Sequence, residues 1–296
     1  MNIPYMGEML ALVTAIIWAF AVILFKKSGE SVHPVALNLF KNTLAVVLFI
    51  PTIYIFGETL FYNAPLNDYL LLLFSGALGI GLADTLFFKS LNILGAGLSA
   101  IVDCFYSTFV IILSFAFLSE SMGIFQIMGA LMIISAVLMA ASKKGSAHLT
   151  RKSLFIGILL GALAMLTTAV GLVMIKSLLE RSPLFWVVEM RLIGGMTVLA
   201  LSLLFRRDRI SVLSTLRGNG GWKYTISGSF VGAYLAMVFW LAGMKYTQAS
   251  IAAALNQTTT VFIFIFAALF LKEPINKVRV IGIVLAIAGS MLVTFS

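Results

Sequence analysis

Apolar residues run along this chain in long blocks separated by short polar breaks. A helix needs roughly 20 apolar residues to cross the hydrocarbon core of a bilayer. Ten blocks approach or exceed that length: 7–26, 34–56, 69–91, 97–118, 123–142, 153–177, 184–205, 223–244, 249–271 and 277–295. Their ends carry helix punctuation. Pro34 and Pro183 stand where the second and seventh helices open, where a missing N–H is tolerated. Gly95 and Gly97 interrupt the third and fourth, and Pro274 follows the ninth. The pattern predicts an all-α membrane protein of ten transmembrane helices. Its connections are too short for a separate soluble domain.

The blocks are duplicated. At a constant spacing of 153 residues, Phe109, Phe117, Leu118, Glu120 and Gly129 match Phe262, Phe270, Leu271, Glu273 and Gly282. Chance coincidence of Leu, Gly and Ala is common in apolar sequence, but the paired glutamates at one loop position favour duplication. The chain then divides into a first five-helix repeat (1–142), a basic linker (143–152, KKGSAHLTRK) and a second five-helix repeat (153–296). Five is odd, so the second repeat must enter the membrane from the opposite side. This is an inverted repeat, a construction used by secondary transporters. Gly157 with Gly161, and Gly228 with Gly232, form small-xxx-small faces that let helices approach closely.

Composition narrows the class. The 296 residues are 61% hydrophobic and 10% charged, against about 25% charged in a soluble domain. The net charge of +9 does not point to nucleic acid, because Lys and Arg are scattered between apolar blocks. Fifteen of the 20 basic residues fall at the ends of odd-numbered spans and three (Lys176, Arg181 and Lys245) on the opposite side. By the positive-inside rule this places both termini outside. No Lys or Arg precedes the first block and Glu8 sits there instead, so 7–26 reads as a retained span rather than a cleaved signal. The single cysteine, Cys104, excludes an intrachain disulfide, and His33 and His148 both lie in loops. An intramembrane enzyme would need a nucleophile–base pair or metal ligands, and no HExxH or comparable motif is present. No GxxxxGK[ST] motif supports an ATP-driven pump. No enzyme activity, metal or cofactor is expected.

Charged residues within the spans are the candidate chemistry, because a charge at mid-membrane is unfavourable by at least about 2.5–3.5 kcal/mol. They are Lys41, Asp84 and Asp103 in the first half and Arg191 in the second. Counting from the span ends places the first three at similar depth, so Lys41 can pair with Asp84 or with Asp103. Arg191 matches Lys41 at a spacing of 150, and Asn256 matches Asp103 at 153, but no acid in span eight matches Asp84. Glu189 points away from Arg191 on the helix and is expected near the headgroups or another neighbour. The bland role for the set is to fasten helices together; the functional one is to handle substrate or protons, with Asp103 foremost. Trp18, Tyr106, Tyr234 and Trp240 are candidate cavity aromatics, with lipid-facing packing as the alternative. Asn256, Gln257 and Thr258–Thr260 form the most polar run of span nine; its alternative is hydrogen bonding between helices. Glu120, Glu273, Gly129 and Gly282 read as structural or gating residues.

With Trp18-Ala19-Phe20 in span one and Phe270-Leu271-Lys272-Glu273-Pro274 before the last span, the chain resembles the EamA branch of the drug/metabolite transporter superfamily. Phe117-Leu118-Ser119-Glu120 is the weaker first copy, and the second half has Thr167-Thr168-Ala169 instead of a Trp matching Trp18. The resemblance implies a secondary transporter of the cell (inner or plasma) membrane, often an exporter of amino acids or other small metabolites, with a cavity between the repeats. It also implies cytoplasmic termini, opposite to the charge bias. The expected function is alternating-access transport of a small organic solute, with protons as a candidate coupling partner. Uncoupled uniport, exchange or a channel is the alternative. The expected assembly is a monomer or weak homodimer in lipid.

Overall fold

The computed structural model describes residues 5–117, 123–140, 149–217, 221–273 and 277–294. Among them there are helices and no strands. In chain order the helices are α1 (Met6–Ser28), α2 (Pro34–Ile55), α3 (Leu66–Leu94), α4 (Ala96–Phe117) and α5 (Ile124–Ala140), followed by α6 (Arg151–Val173) and the short α7 (Lys176–Arg181). Then come α8 (Leu184–Leu204), a short α9 (Arg209–Ser214), α10 (Trp222–Tyr246), α11 (Ala249–Asn256), α12 (Thr259–Phe270) and α13 (Lys277–Thr294). Seven of these, α1, α2, α3, α4, α6, α8 and α10, are long and apolar enough to cross a membrane. The other expected spans are shorter in their apolar stretch, and the ninth is split into α11 and α12 by a turn at Gln257–Thr258.

Local chemistry sets the helix starts. His33 Nδ1 accepts the Val35 N–H at 3.2 Å and caps α2, whose first residue is proline. Thr150 Oγ1 accepts the Ser153 N–H at 3.1 Å at the start of α6. These caps satisfy amide donors that the first helical turn leaves free.

Along the first part of α1, small residues face the interior and large ones face outward. In α1, Ala11, Ala15 and Ala19 are buried while their neighbours Leu12, Ile16 and Phe20 are exposed. Lipid tails are as apolar as leucine, so close backbone approach drives helix pairing in a membrane. Helix α1 lies against α10, α11 and α12, and α6 lies against α3 and α4. Helix α8 packs on α3 and α2, α2 on α10, and α5 along α13. The α3–α8 contact is tightest: a methyl added at Gly76 would overlap the Arg191 carbonyl, and one at Gly194 would overlap the Leu73 carbonyl.

Helix ends are tied across the molecule by charged side chains. Lys26, at the end of α1, donates to the Asn92 carbonyl of α3 at 3.3 Å. Lys176 donates to the Met244 carbonyl of α10 at 2.6 Å. Cations at helix C-termini satisfy carbonyls and the helix dipole together. At an N-terminus, Glu273 accepts the Ala96 N–H at 2.7 Å and the Gly97 N–H at 3.1 Å. Gly95 permits this approach, with φ of 79° and room for no more than a hydrogen beside the carboxylate; a Cβ there would stand 2.9 Å from Glu273 Oε1. Glu273→Ala is expected to destabilise the protein by about 1–2 kcal/mol, with Glu273→Gln intermediate, read as the melting temperature of the purified protein. Equal stability of Glu273→Ala and the parent protein would contradict the cap.

Candidate functional site

Two kinds of helix irregularity open the centre of the bundle. Helix α3 widens into π turns over Ala77–Leu82, and α10 does so over Ser229–Ala236. A π turn shifts the hydrogen-bond ladder by one residue and is common at functional sites. Asn38 Nδ2 reaches the carbonyls of Ile80 (3.0 Å) and Gly81 (3.1 Å) in the first of them. Helix α4 has a turn at Cys104, and α11 ends at the turn that separates it from α12. Asp103 and Asn256 stand immediately before these two breaks.

Between these irregular segments lies a cavity of about 980 Å³, counting the space at its open mouth. Its walls come from both halves of the chain. Thr14 and Trp18 of α1, Lys41 of α2, Asp84 and Phe87 of α3, and Asp103 and Tyr106 of α4 form one part. Thr168 of α6, Ala236 and Trp240 of α10, Asn256, Gln257 and Thr260 form the other. Eight of the sequence-derived candidates therefore meet at one place: Trp18, Lys41, Asp84, Asp103, Tyr106, Trp240, Asn256 and Gln257.

Lys41 resolves its two allowed partners in favour of Asp84, with Nζ–Oδ2 at 2.6 Å. Its ammonium also donates to Asn42 Oδ1 at 3.0 Å, and Asn42 Nδ2 donates to Asn38 Oδ1 at 2.9 Å. The chain of contacts links the ion pair to the carbonyls of the first π segment. The Lys41 side chain is 2% exposed and that of Asp84 is 17% exposed, so both line the cavity and the acid is the more open of the two. The Asp103 side chain makes no ion pair or hydrogen bond among the described residues.

Two candidates stand apart. Tyr234 turns away from the cavity and shares a 2.7 Å hydrogen bond with Thr52, its ring 4.8 Å from that of Phe49. Arg191 lies behind the wall, fully buried, its guanidinium carbon 5.5 Å from the centroid of Trp240. Glu189 is 1% exposed and faces the interior, which corrects its placement near the headgroups. The polar run of span nine divides between roles: Thr260 donates to the Ala100 carbonyl at 3.1 Å and ties α12 to α4, while Asn256 and Gln257 face the cavity. Gly129 is buried in α5 and Gly282 in α13, away from the cavity lining. Glu120 lies outside the described residues.

Sequence reasoning missed Thr168, Ala236 and the two glycines, Gly79 and Gly232, that also line the cavity. Thr168 carried a usable signal, since it lies in the Thr167-Thr168-Ala169 segment that stands in place of a second Trp18. Ala236 was visible only as the lack of an acid opposite Asp84.

A multi-pass bundle with a central cavity walled by both halves, polar at a few points and otherwise aromatic and apolar, defines a membrane transporter. The chain belongs to the EamA-like transporter family, whose pattern it matches over residues 5–142 and again over 155–295. It is 24% identical over 286 residues to an uncharacterized transporter of Archaeoglobus fulgidus, covering 96% of each chain. It is 30% identical over 151 residues to the uncharacterized transporter YetK of Bacillus subtilis, covering 51% of this chain and 44% of that one. A solved crystal structure at 16% identity superimposes with a TM-score of 0.73 over 97% of this chain and 96% of its own, a likeness of fold.

Proposed function

We propose that this protein is a secondary active transporter that carries a small organic solute through the central cavity by alternating access, in the direction of export, with Asp103 exchanging a proton. The moving bodies are two inverted five-helix repeats, residues 1–142 and 153–296, joined by the basic linker 143–152. The observation that carries the reading is the cavity itself, walled by both halves and holding in Asp103 a carboxylate with no ion-pair partner among the described residues. A carboxylate left without a cation beside an apolar cavity is poised to take up and release a proton.

The inverted repeat is supported by features that recur at matching positions. The family pattern matches twice. The π segments begin at Ala77 and Ser229, and the breaks in the fourth and ninth spans fall at Cys104 and Gln257, 153 residues apart. Lys26 and Lys176 are 150 residues apart, and the carbonyls they cap, Asn92 and Met244, are 152 apart. Helix α1 packs on the third and fourth spans of the second half, as α6 does on those of the first.

The test is solute counterflow in proteoliposomes loaded with a metabolite extract, read by mass spectrometry with and without a pH gradient. The expected result is saturable exchange of a limited set of solutes, accelerated by the gradient. Asp103→Asn is expected to remove that acceleration while leaving the protein folded. Gradient-independent exchange in both proteins would replace proton coupling with uniport or exchange. Unsaturable flux would replace the transporter with a channel.

A further inference from the structure

The two halves treat their intramembrane cation differently. In the first, Lys41 lies 5.9 Å from the centroid of the Phe88 ring and pairs with Asp84 at 2.6 Å. The second half repeats the cation and the ring, with Arg191 lying 5.5 Å from the centroid of Trp240. Lys41 and Arg191 are 150 residues apart and Phe88 and Trp240 are 152 apart; at that second spacing the place of Asp84 is taken by Ala236. Arg191 has therefore kept its aromatic shelf, while no carboxylate pairs with it among the described residues.

The guanidinium is left in an unfavourable state. It is 0% exposed, and none of its three nitrogens has a hydrogen-bond partner among the described residues. A buried charge is normally paired, because desolvation outweighs what packing alone returns. The Trp240 face offsets part of this, but it leaves the N–H donors of the fork unused. Two more buried polar atoms nearby lack a well-formed hydrogen bond, Tyr106 Oη and Asn256 Oδ1, and both residues line the cavity. The side facing the cavity is kept small. Gly79 lines it, and a Cβ there would stand 3.1 Å from Arg191 Nη2; Ala236 lines it as well.

We infer that Arg191 is the subsite for an anionic group of the transported solute, a carboxylate by preference, which takes up beside Ala236 the position that the Asp84 side chain holds beside Lys41. The inference rests on the reading of the cavity as a transport site. A guanidinium fork accepts a carboxylate through two parallel hydrogen bonds, which a lysine in the same place could not do. The aromatic and apolar walls around it suit a solute with an apolar body.

Three probes that share one body and differ in charge test this: 3-phenylpropionate, 3-phenylpropionamide and 3-phenylpropylamine, added to the purified protein with melting temperature as the readout. The carboxylate is expected to raise the melting temperature saturably, and the amide and amine to leave it unchanged. Arg191→Gln is expected to abolish the response, and Arg191→Lys to keep it with at least about tenfold weaker apparent affinity. Ala236→Asp supplies the missing carboxylate within the chain. It is expected to raise the melting temperature without any probe and to cancel the response to 3-phenylpropionate. An equal response to the amide, a carboxylate response unchanged in Arg191→Gln and Ala236→Asp, or no response of the parent protein would overturn the inference. Carboxylate binding through Arg191 without movement of any solute in proteoliposomes would sustain the subsite and overturn the transport reading. Movement of neutral or cationic solutes alone, indifferent to Arg191, would do the reverse.

Discussion

Asp84→Ala is expected to destabilise the protein by about 3 kcal/mol and to stop transport, whereas the double replacement Lys41→Met with Asp84→Leu restores most of the stability and none of the transport. The asymmetry follows from burial. Lys41 is 2% exposed, and among the described residues its ammonium has Asp84 as its one anionic partner, at 2.6 Å. Removing the acid leaves a buried cation with the Asn42 side-chain oxygen and the Phe88 ring beside it and no counter-charge among the described residues. Breaking a buried pair in this way is unfavourable by about 3–5 kcal/mol, and the lower end applies because the Asp84 side chain retains 17% exposure. Removing both charges takes away the attraction and the desolvation together, which is close to neutral in packed interiors. Transport distinguishes the roles, since an ion pair that only fastens α2 to α3 would be dispensable for solute movement once stability is restored. Thermal melting of the three proteins, followed by counterflow on those that remain folded, is the measurement. Full transport by the double variant would assign the pair to fastening alone.

Gly76→Ala and Gly194→Ala are each expected to lower the yield of monodisperse protein severely, because no other described glycine meets a backbone carbonyl as closely. Helices α3 and α8 meet backbone to backbone at these residues, and the added methyl would overlap the carbonyl of Arg191 or of Leu73. A backbone carbonyl cannot rotate aside as a side-chain tip can, so the helices must separate. Overpacking of this kind is unfavourable by about 1–3 kcal/mol, and by more when helices must part along their length. The same displacement would move Arg191 relative to Trp240. Gly123→Ala is the control, because a Cβ there meets nothing within 4 Å among the described residues. Size-exclusion profiles in detergent compare the three; normal profiles for the first two would mean that the α3–α8 contact is looser than described.

Much of the architecture was legible in the sequence because membrane insertion imposes a simple rule on length and polarity. Each of the ten apolar blocks appears as helix over much of its length, and Pro34, Gly95 and Pro183 mark starts close to those observed. The ninth block is one apolar run, yet α11 and α12 are separate helices. The run Asn256-Gln257-Thr258-Thr259-Thr260 signalled polarity, but a helix break depends on where hydroxyls and carbonyls find partners. Thr258 turns back to the Leu255 carbonyl at 2.8 Å, and Thr260 reaches across to Ala100.

The candidate site divides in the same way. Charged residues in a membrane announce themselves, so Lys41, Asp84, Asp103 and Arg191 could be named from composition alone. Which of them meet could not. Depth allowed Lys41 either of two acids, because counting along a helix gives height but not rotation relative to its neighbours. Tyr234 and Trp240 lie in the same helix, yet only Trp240 faces the cavity. The eight-residue π segment Ser229–Ala236 ends between them and alters the angular spacing that an α-helix would give.

By itself, then, the sequence determined that the chain lives in a membrane, that it is helical, and which side chains are too unfavourable there to be without purpose. Apolar residues face both lipid and protein in such a chain, so hydrophobicity says little about which face of a helix turns inward. Only the tertiary structure decided that Asp84 neutralises Lys41, that Glu273 caps a distant helix, and that Arg191 lies buried beside Trp240 with no hydrogen-bond partner for its nitrogens among the described residues. Those outcomes depend on the rotation and close approach of helices, which small residues such as Gly76 and Gly194 permit and no linear pattern encodes.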